Sequence, residues 1–422
     1  MKKKFLSIWL LINISPIILA SSNSKIIDFI HQKQDALASI SPIHLNTQPK
    51  LPYCPTAYPD LTALEENETY GNRYKNIDTK YPEKRVITVP VTNLRFEPKE
   101  IATTLILPTS DYTNPLQITQ LLLGEYIIAY EECIDTHNQS WLKVHAIQQE
   151  KFVGPCGWLG YPGWIKKDHT AKVTTFPSCN IVVHSMLANL TNSNGSIIKT
   201  ISMGTKFQAT RINQDLWQVI LPNQDTAYIQ HQDIYEIVPC VQESIEDLRR
   251  SIINKAKEFI GSWYSWGGRS AQSDLFGNIS SVDCSALVNL SFLAHGLQLP
   301  RMSKEQFLSS TEIRSGADLQ PGDLIFYASV FKNKNYKNPL QIDHIMIYLG
   351  DNQLLEATWI DGCKIRTTAC DTRIGKPCHT IKSGEIIKYL DDEYFVYFGT
   401  FFNHIESLQK LRTNALEHSY NL

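Results

Sequence analysis

The chain has 422 residues, 43% of them hydrophobic and 10% aromatic, with a formal charge of −2. At about 100 to 200 residues per domain this length implies several ordered globular domains. The near-neutral balance gives no support for a nucleic-acid partner, and it neither excludes polyanionic wall polymers nor steers toward them.

Residues 1–22 read as a secretory signal peptide: Lys2, Lys3 and Lys4 precede the apolar run FLSIWLLINISPIILA, which ends in the small residues Ala20, Ser21 and Ser22. The run is broken by Asn13 and Pro16, and no later segment reaches the roughly 18 to 20 apolar residues of a spanning helix. The mature chain is expected to be periplasmic or secreted and not embedded in a membrane. No cysteine follows the cleavage region, so a lipid anchor is not indicated.

Residues 23–82 begin with a helical-looking stretch, SKIIDFIHQKQDALASI, and continue as a Pro- and Tyr-rich irregular segment without a chemical motif. They read as a stabilising clip that packs on something else. From 83 to 170 come short β-like runs, RVITVPVTNL, LQITQLLLGEYIIAYEEC and WLKVHAI, separated by turn residues. A second series fills 171–240, through IVVHSMLANL, IKTISMGTKFQATRI and LWQVIL. Each series has a start strand, a glycine turn (Gly124-Glu125, Gly204-Thr205) and a Trp-containing strand (Trp141, Trp217). That order resembles bacterial SH3-like barrels; a single larger β-sandwich is the alternative.

Nine cysteines in an exported chain should mostly pair, and the odd number leaves one thiol over. Local position suggests Cys133 with Cys156 and Cys179 with Cys240, while Cys54, Cys363, Cys370 and Cys378 stay unassigned. Cys363, Cys370, Cys378 and His379 lack the short spacing of a structural zinc site, so no metal and no cofactor is expected.

Residues 241–403 read as a third domain, with 404–422 as a C-terminal tail. It opens on a helix, SIEDLRRSIINKAKEFIG, with Ser244 as N-cap, apolar residues at helical spacing and Gly261 at its end. After YSWGG (Tyr264 to Gly268) comes the segment SSVDCSALVNLSFLAHG, in which Asp283 caps a second helix and Cys284 falls in its first turn. Unpaired N–H groups and the helix dipole favour a thiolate there; the plain alternative is a buried or disulfide-bonded cysteine. A nucleophilic thiol needs a base. Among twelve histidines, His344 opens the apolar strand DHIMIYLG, which turns at Gly350, Asp351 and Asn352 into QLLEATW. The hairpin returns Glu356 or Thr358 beside His344, either of which could orient the imidazole.

The ordered set YSWGG, DCSALV, LPR, QPGDLIFY and DHIMIYLG resembles the catalytic domain of NlpC-type papain-like cysteine peptidases, the bacterial murein endopeptidases. The resemblance implies an α+β fold, with a papain-like NlpC catalytic domain preceded by two SH3-like β-barrels and an N-terminal helical clip. It further implies that Cys284 attacks an amide carbon, that His344 is base and then acid, and that the Cys284 N–H helps hold the oxyanion. The family's third position, usually His and sometimes Asn or Gln, is Glu356 here. Such a carboxylate is expected to raise the His344 pKa and favour a thiolate–imidazolium pair.

The wider arrangement resembles γ-D-glutamyl-L-diamino acid endopeptidases, which cut stem peptides bearing a free N-terminal L-alanine. Their recognition positions correspond here to Glu125 and Tyr161 in the first barrel and to Tyr264, Asp283, Ser285 and Ser303 in the catalytic domain; an acidic position beside Ser303 is Met302 in this chain. Glu125 with Asp283 could provide the counter-charge that a buried ammonium needs. The expected partner is therefore a peptidoglycan stem peptide. Other readings are a non-catalytic wall-peptide-binding protein and an acyltransferase or amidase on the same fold.

Overall fold

The computed structural model describes residues 82–100, 116–152, 158–176, 178–271, 281–330, 342–389 and 392–416. The segments read as leader and clip lie outside the described residues, as do Cys54, Cys156 and most of the stretches 269–281 and 329–342. No described helix is long and apolar enough to cross a membrane.

Runs rich in Val, Ile, Leu and aromatic residues, punctuated by turn residues, become strands through the first half of the described chain. Strands β1 (Glu83–Ile87), β2 (Val91–Arg95), β3 (Gln117–Leu122), β4 (Tyr126–Ile134), β5 (Ser140–Phe152), β6 (Trp158–Lys166) and β7 (Thr170–Lys172) form one 7-stranded antiparallel sheet in the order β3-β2-β6-β5-β4-β1-β7. Leu94, Leu121, Ile127, Leu142, Val144 and Ile165 fill its core. Trp141 is fully buried and its indole N–H donates to Asp135 Oδ2 at 2.9 Å.

The second all-β segment contains β8 (Ile181–Val183), β9 (Leu187–Thr191), β10 (Ile197–Ser202), β11 (Lys206–Phe207), β12 (Ala209–Arg211), β13 (Leu216–Ile220), β14 (Thr226–Gln230) and β15 (Ile234–Glu236). They form a 5-stranded sheet, β10-β9-β14-β13-β12, and a 3-stranded sheet, β11-β8-β15, around a core containing Trp217, Val219 and Ile229. Gly204, in its glycine turn, has φ +87°, and a Cβ there would meet the Leu290 side chain at 2.8 Å. Conformation and close approach both require glycine at this point.

The third segment starts with α1 (Ile245–Lys257), where the Ser244 hydroxyl accepts the Asp247 N–H at 3.1 Å and Leu248, Ile252, Ile253 and Ala256 are buried. A 10-stranded sheet follows, made of β16 (Trp263–Tyr264), β17 (Arg269–Ser270), β18 (Ser281–Val282), β19 (Thr311–Ile313), β20 (Leu324–Ser329), β21 (His344–Gly350), β22 (Gln353–Thr358), β23 (Lys364–Ala369), β24 (Glu385–Tyr389) and β25 (Asp392–Thr400). Helix α2 (Cys284–Leu293) is buried along its whole length and packs against α1, β21 and β22. Two shorter helices, α3 (Ser303–Ser309) and α4 (Cys370–Ile374), flank the sheet strands that matter for the site.

One apolar core joins the parts: Leu122 of the first segment and Met203 of the second cluster with Leu287, Leu290, Phe292, Ile345 and Leu355. The stretch after His404 contributes as well, because α5 (Ile405–Leu416) docks on the body through Leu408 and Leu411. Its fully buried Arg412 donates to the Tyr235 hydroxyl at 2.8 Å, the His295 carbonyl at 3.2 Å and Glu243 Oε2 at 3.2 Å.

The cysteines depart from expectation. Cys370 and Cys378 form a disulfide. The expected pair Cys179–Cys240 is not formed: Cys179 is buried with Tyr126 and Val86, its sulfur 3.1 Å from the Tyr126 hydroxyl, whereas Cys240 is exposed, 3.8 Å from Gln409 Nε2. Bracketing a β segment in sequence does not bring its ends together in space. Cys133 carries a thiol and Cys156 lies outside the described residues. Several thiols therefore coexist, and parity does not single out Cys284.

Candidate active site

Asp283 sets the position of Cys284. Its backbone is extended (φ −90°, ψ 178°) and Oδ1 accepts the Ala286 N–H at 2.8 Å, so α2 begins at the cysteine. The same carboxylate accepts the Gly267 N–H at 3.1 Å and a two-point ion pair from Arg301, with Nη1 to Oδ1 at 2.9 Å and Nη2 to Oδ2 at 2.7 Å. Ser285 Oγ donates to Asp283 Oδ1 at 3.1 Å and accepts Arg301 Nη1 at 2.9 Å. Thus a buried cap fixes the first turn.

Strand β21 then brings the base. The backbone N–H groups of Ile345 and Ser285 act on the Cys284 sulfur and favour its charged form, and His344 is the residue before Ile345 on β21. His344 Nε2 lies 2.9 Å from Glu356 Oε2 across the β21–β22 hairpin. Of the two hairpin candidates Glu356 is the partner; Thr358 Oγ1 instead accepts the Ile360 N–H at 3.2 Å. With Nε2 occupied, Nδ1 is the ring nitrogen left for the thiol proton.

Glu356 is fully buried. Its Oε2 also accepts Arg373 Nε at 2.9 Å, and Oε1 faces Arg366 Nε and Nη2 at 3.3 Å. Burial opposes its ionisation, but the His344 hydrogen bond and the Arg373 charge outweigh this and hold the carboxyl down to about 2.

Burial works against the helix-start contribution that favours a thiolate. Burial, then the Asp283 charge, pushes the Cys284 thiol up to about 12, and the helix amides only partly offset this. Burial holds His344 below its ordinary value; Glu356 pulls upward and Arg373 pulls down again. Both shifts run toward the uncharged forms, a thiol and a neutral imidazole.

Of the other residues singled out in the sequence, Tyr264 joins the pair. It is buried, and burial followed by the neighbouring Cys284 and Asp283 keeps its phenol well above the usual range. Ser303 Oγ donates to the Ile342 carbonyl at 3.3 Å. Tyr161 is buried with its phenol raised, mainly by burial, and feels the charges of Arg301, Glu305 and Asp283; Lys151 Nζ lies 4.6 Å from its ring centroid. Glu125 is engaged elsewhere: Oε1 pairs with the fully buried Arg269 at 2.8 Å, and Oε2 accepts the Leu122 N–H and Gln149 Nε2 at 3.1 Å each. Glu125 and Asp283 thus already have cationic partners within the protein. A substrate ammonium at either carboxylate would share it with an arginine.

Four residues carry weight that sequence reasoning did not assign. Arg301, inside LPR, also donates Nε to Thr119 Oγ1 at 2.7 Å. Glu305 is buried on α3 one turn beyond Met302, whose own side chain packs against the core of the first segment. Arg366 sits opposite Glu356 in the β22–β23 register, a signal that needs strand pairing to read. Arg373 lies between the disulfide cysteines, a short closed loop in which a lone arginine has no periodicity to mark it.

Residues 261–378 match the model of the NlpC/P60 family. Over 112 residues the chain is 35% identical to peptidoglycan endopeptidase RipB of Mycobacterium tuberculosis, covering 25% of this chain and 42% of that protein. It is 34% identical over 106 residues to probable endopeptidase p60 of Listeria seeligeri, covering 25% of this chain and 17% of that protein. The match thus spans less than half the length of either relative. Among solved structures, an NlpC/P60 family protein from Bacillus cereus shares the fold, with a TM-score of 0.50 at 22% identity, covering 68% of this chain and 94% of the other.

Proposed function

We propose, on the premise that residues 261–378 form an NlpC/P60 domain, that this chain is an exported cysteine endopeptidase acting on peptidoglycan stem peptides. The observation that carries the reading is the imidazole of His344 held at 2.9 Å by the buried Glu356 carboxylate, on the strand whose next residue, Ile345, turns its backbone N–H to the buried Cys284 thiol. Both matched relatives are named as endopeptidases, and RipB as a peptidoglycan endopeptidase.

In this reading His344 Nδ1 takes the thiol proton as the Cys284 sulfur bonds to the scissile carbonyl carbon. The Cys284 N–H at the start of α2 stabilises the oxyanion. The C–N bond then breaks, His344 returns the proton to the departing amine, and water attacks the thioester with His344 again as base. Because both groups are shifted toward their uncharged forms, His344 is a general base rather than half of a standing ion pair. Tyr264, Ser285, Ser303 and Tyr161 line the way to this centre. The two all-β segments are read as SH3-like barrels. The bond cut is read as that between γ-D-Glu and the diamino acid.

The test is mass spectrometry of the protein incubated with L-Ala-γ-D-Glu-diaminopimelate and with its N-acetylated form. Cleavage of both is expected, since the Glu125 and Asp283 carboxylates already have partners, and loss of both activities in Cys284→Ala. Turnover by Cys284→Ala would sink the nucleophile assignment. Cleavage of the free-amine peptide alone would restore an amine gate.

A further inference from the structure

We propose that Arg373 is a positioning residue of the reaction: it shares one oxygen of Glu356 with His344 and fixes the carboxylate that orients the imidazole. The proposal rests on the cysteine-peptidase reading above. A carboxylate in the third position, fully buried, would by itself draw a proton onto the imidazole, because an uncompensated buried charge is costly. Here compensation comes from elsewhere. Glu356 Oε2 is met by His344 Nε2 and Arg373 Nε, both at 2.9 Å, while Arg366 faces Oε1. The imidazole is held in one tautomer without having to carry the balancing charge.

Arg373 is itself held from three sides. It lies on α4 inside the loop closed by Cys370 and Cys378. Its guanidinium sits 5.0 Å from the Tyr327 ring centroid, and its carbonyl accepts the Tyr327 hydroxyl at 3.1 Å. The same Tyr327 ring stands edge-on to His344 at 6.4 Å. The groups that bear on His344 are therefore Glu356 on β22, Arg373 on α4, Tyr327 on β20 and the adjacent Asp343, with Arg366 of β23 acting through Glu356. Asp343 Oδ2 accepts the Ser329 N–H at 2.9 Å. Arg373 is the cation in direct contact with the shared oxygen, and its charge lowers the proton affinity of His344.

Arg373→Gln and Arg373→Lys in the full chain test this with two readouts: the pH profile of kcat/KM on a stem peptide, and the His344 titration midpoint followed by imidazole NMR in a Cys284→Ser background. Removing the cation in Arg373→Gln should raise the acid limb and the midpoint together by about one pH unit, with kcat falling more than KM changes. Arg373→Lys keeps the charge and should stay within about 0.3 unit of the parent. If Arg373→Gln fails to fold, the Lys variant decides, since a shift of about a unit there overturns the proposal. A folded Gln variant with unchanged limb and midpoint overturns it too. Should the parent cleave no stem peptide while the midpoint still moves, the positioning role stands and the peptidase reading falls.

Discussion

Arg301 grips both carboxylate oxygens of Asp283, one residue before Cys284, at 2.9 and 2.7 Å. The negative charge beside the sulfur resists loss of the thiol proton, and the guanidinium offsets part of it where water is excluded. Arg301→Met should therefore slow kcat/KM by at least about a hundredfold and cost about 3 to 5 kcal/mol, as expected when one partner of a buried pair is removed. Steady-state kinetics and urea unfolding check both; a variant with normal rate and stability would show that Asp283 needs no cation.

Glu356→Gln removes the charge that pulls the His344 pKa upward. The acid limb of the rate profile should move to lower pH, opposite in sign to Arg373→Gln. The parent also gains stability from Glu356, whose folded carboxyl at about 2 lies below its ordinary 4.5. That contribution is complete above about 4.5 and is lost as the pH falls toward 2. Thermal unfolding of parent and variant at pH 3 and pH 7 should show a difference that shrinks in acid; a constant gap would contradict this.

The Cys370–Cys378 bridge closes the loop that carries Arg373. Replacing both cysteines by serine should lower stability by about 2 kcal/mol and move the acid limb upward by part of the Arg373→Gln shift. Differential scanning calorimetry and the rate profile measure the two effects separately. A stability loss with no movement of the limb would mean that Tyr327 and Glu356 alone hold the arginine.

His295 is a second pH-sensitive feature, just past the far end of the helix that begins at Cys284. It is buried against the His184 and Tyr235 rings, its Nδ1 3.0 Å from the Ser291 carbonyl. Burial, with smaller contributions from the His184 and Lys255 charges, takes it down to about 4 from 6.5. The unfolded chain binds this proton first, so stability should be full above about pH 6.5 and fall by about 3 kcal/mol on the way to pH 4. His295→Gln should flatten that slope in thermal melts at pH 7, 5.5 and 4.

Local chemistry explains what was legible from sequence. The cap at Asp283, the helix start at Cys284 and the turn at Asn352 each depend on a few adjacent residues, and those the structure reproduces. The inferred hairpin narrowed the partner of His344 to Glu356 or Thr358, because a tight turn limits the register without fixing it, and the structure selects Glu356. Long-range partners were not readable: Arg269 reaches Glu125 from 144 positions downstream in sequence terms only after two sheets and a helix have packed. The upward push on the Cys284 thiol was not readable for the same reason, since burial of Cys284 is a property of the assembled core and not of its own helix turn.

A chain of contacts runs from Asp283 to Arg301, then to Thr119, Gln149, Glu125 and Arg269, each link between 2.7 and 3.1 Å. It begins beside the nucleophile and passes twice between the α+β segment and the first sheet. Excising that segment near Gln242 would strand two arginines without their partners and bare the helix surface on which the Gly204 turn rests. The all-β segments are thus interior furniture of this chain, not detachable handles, and shortening the protein to its α+β segment would dismantle the wall against which Cys284 is set.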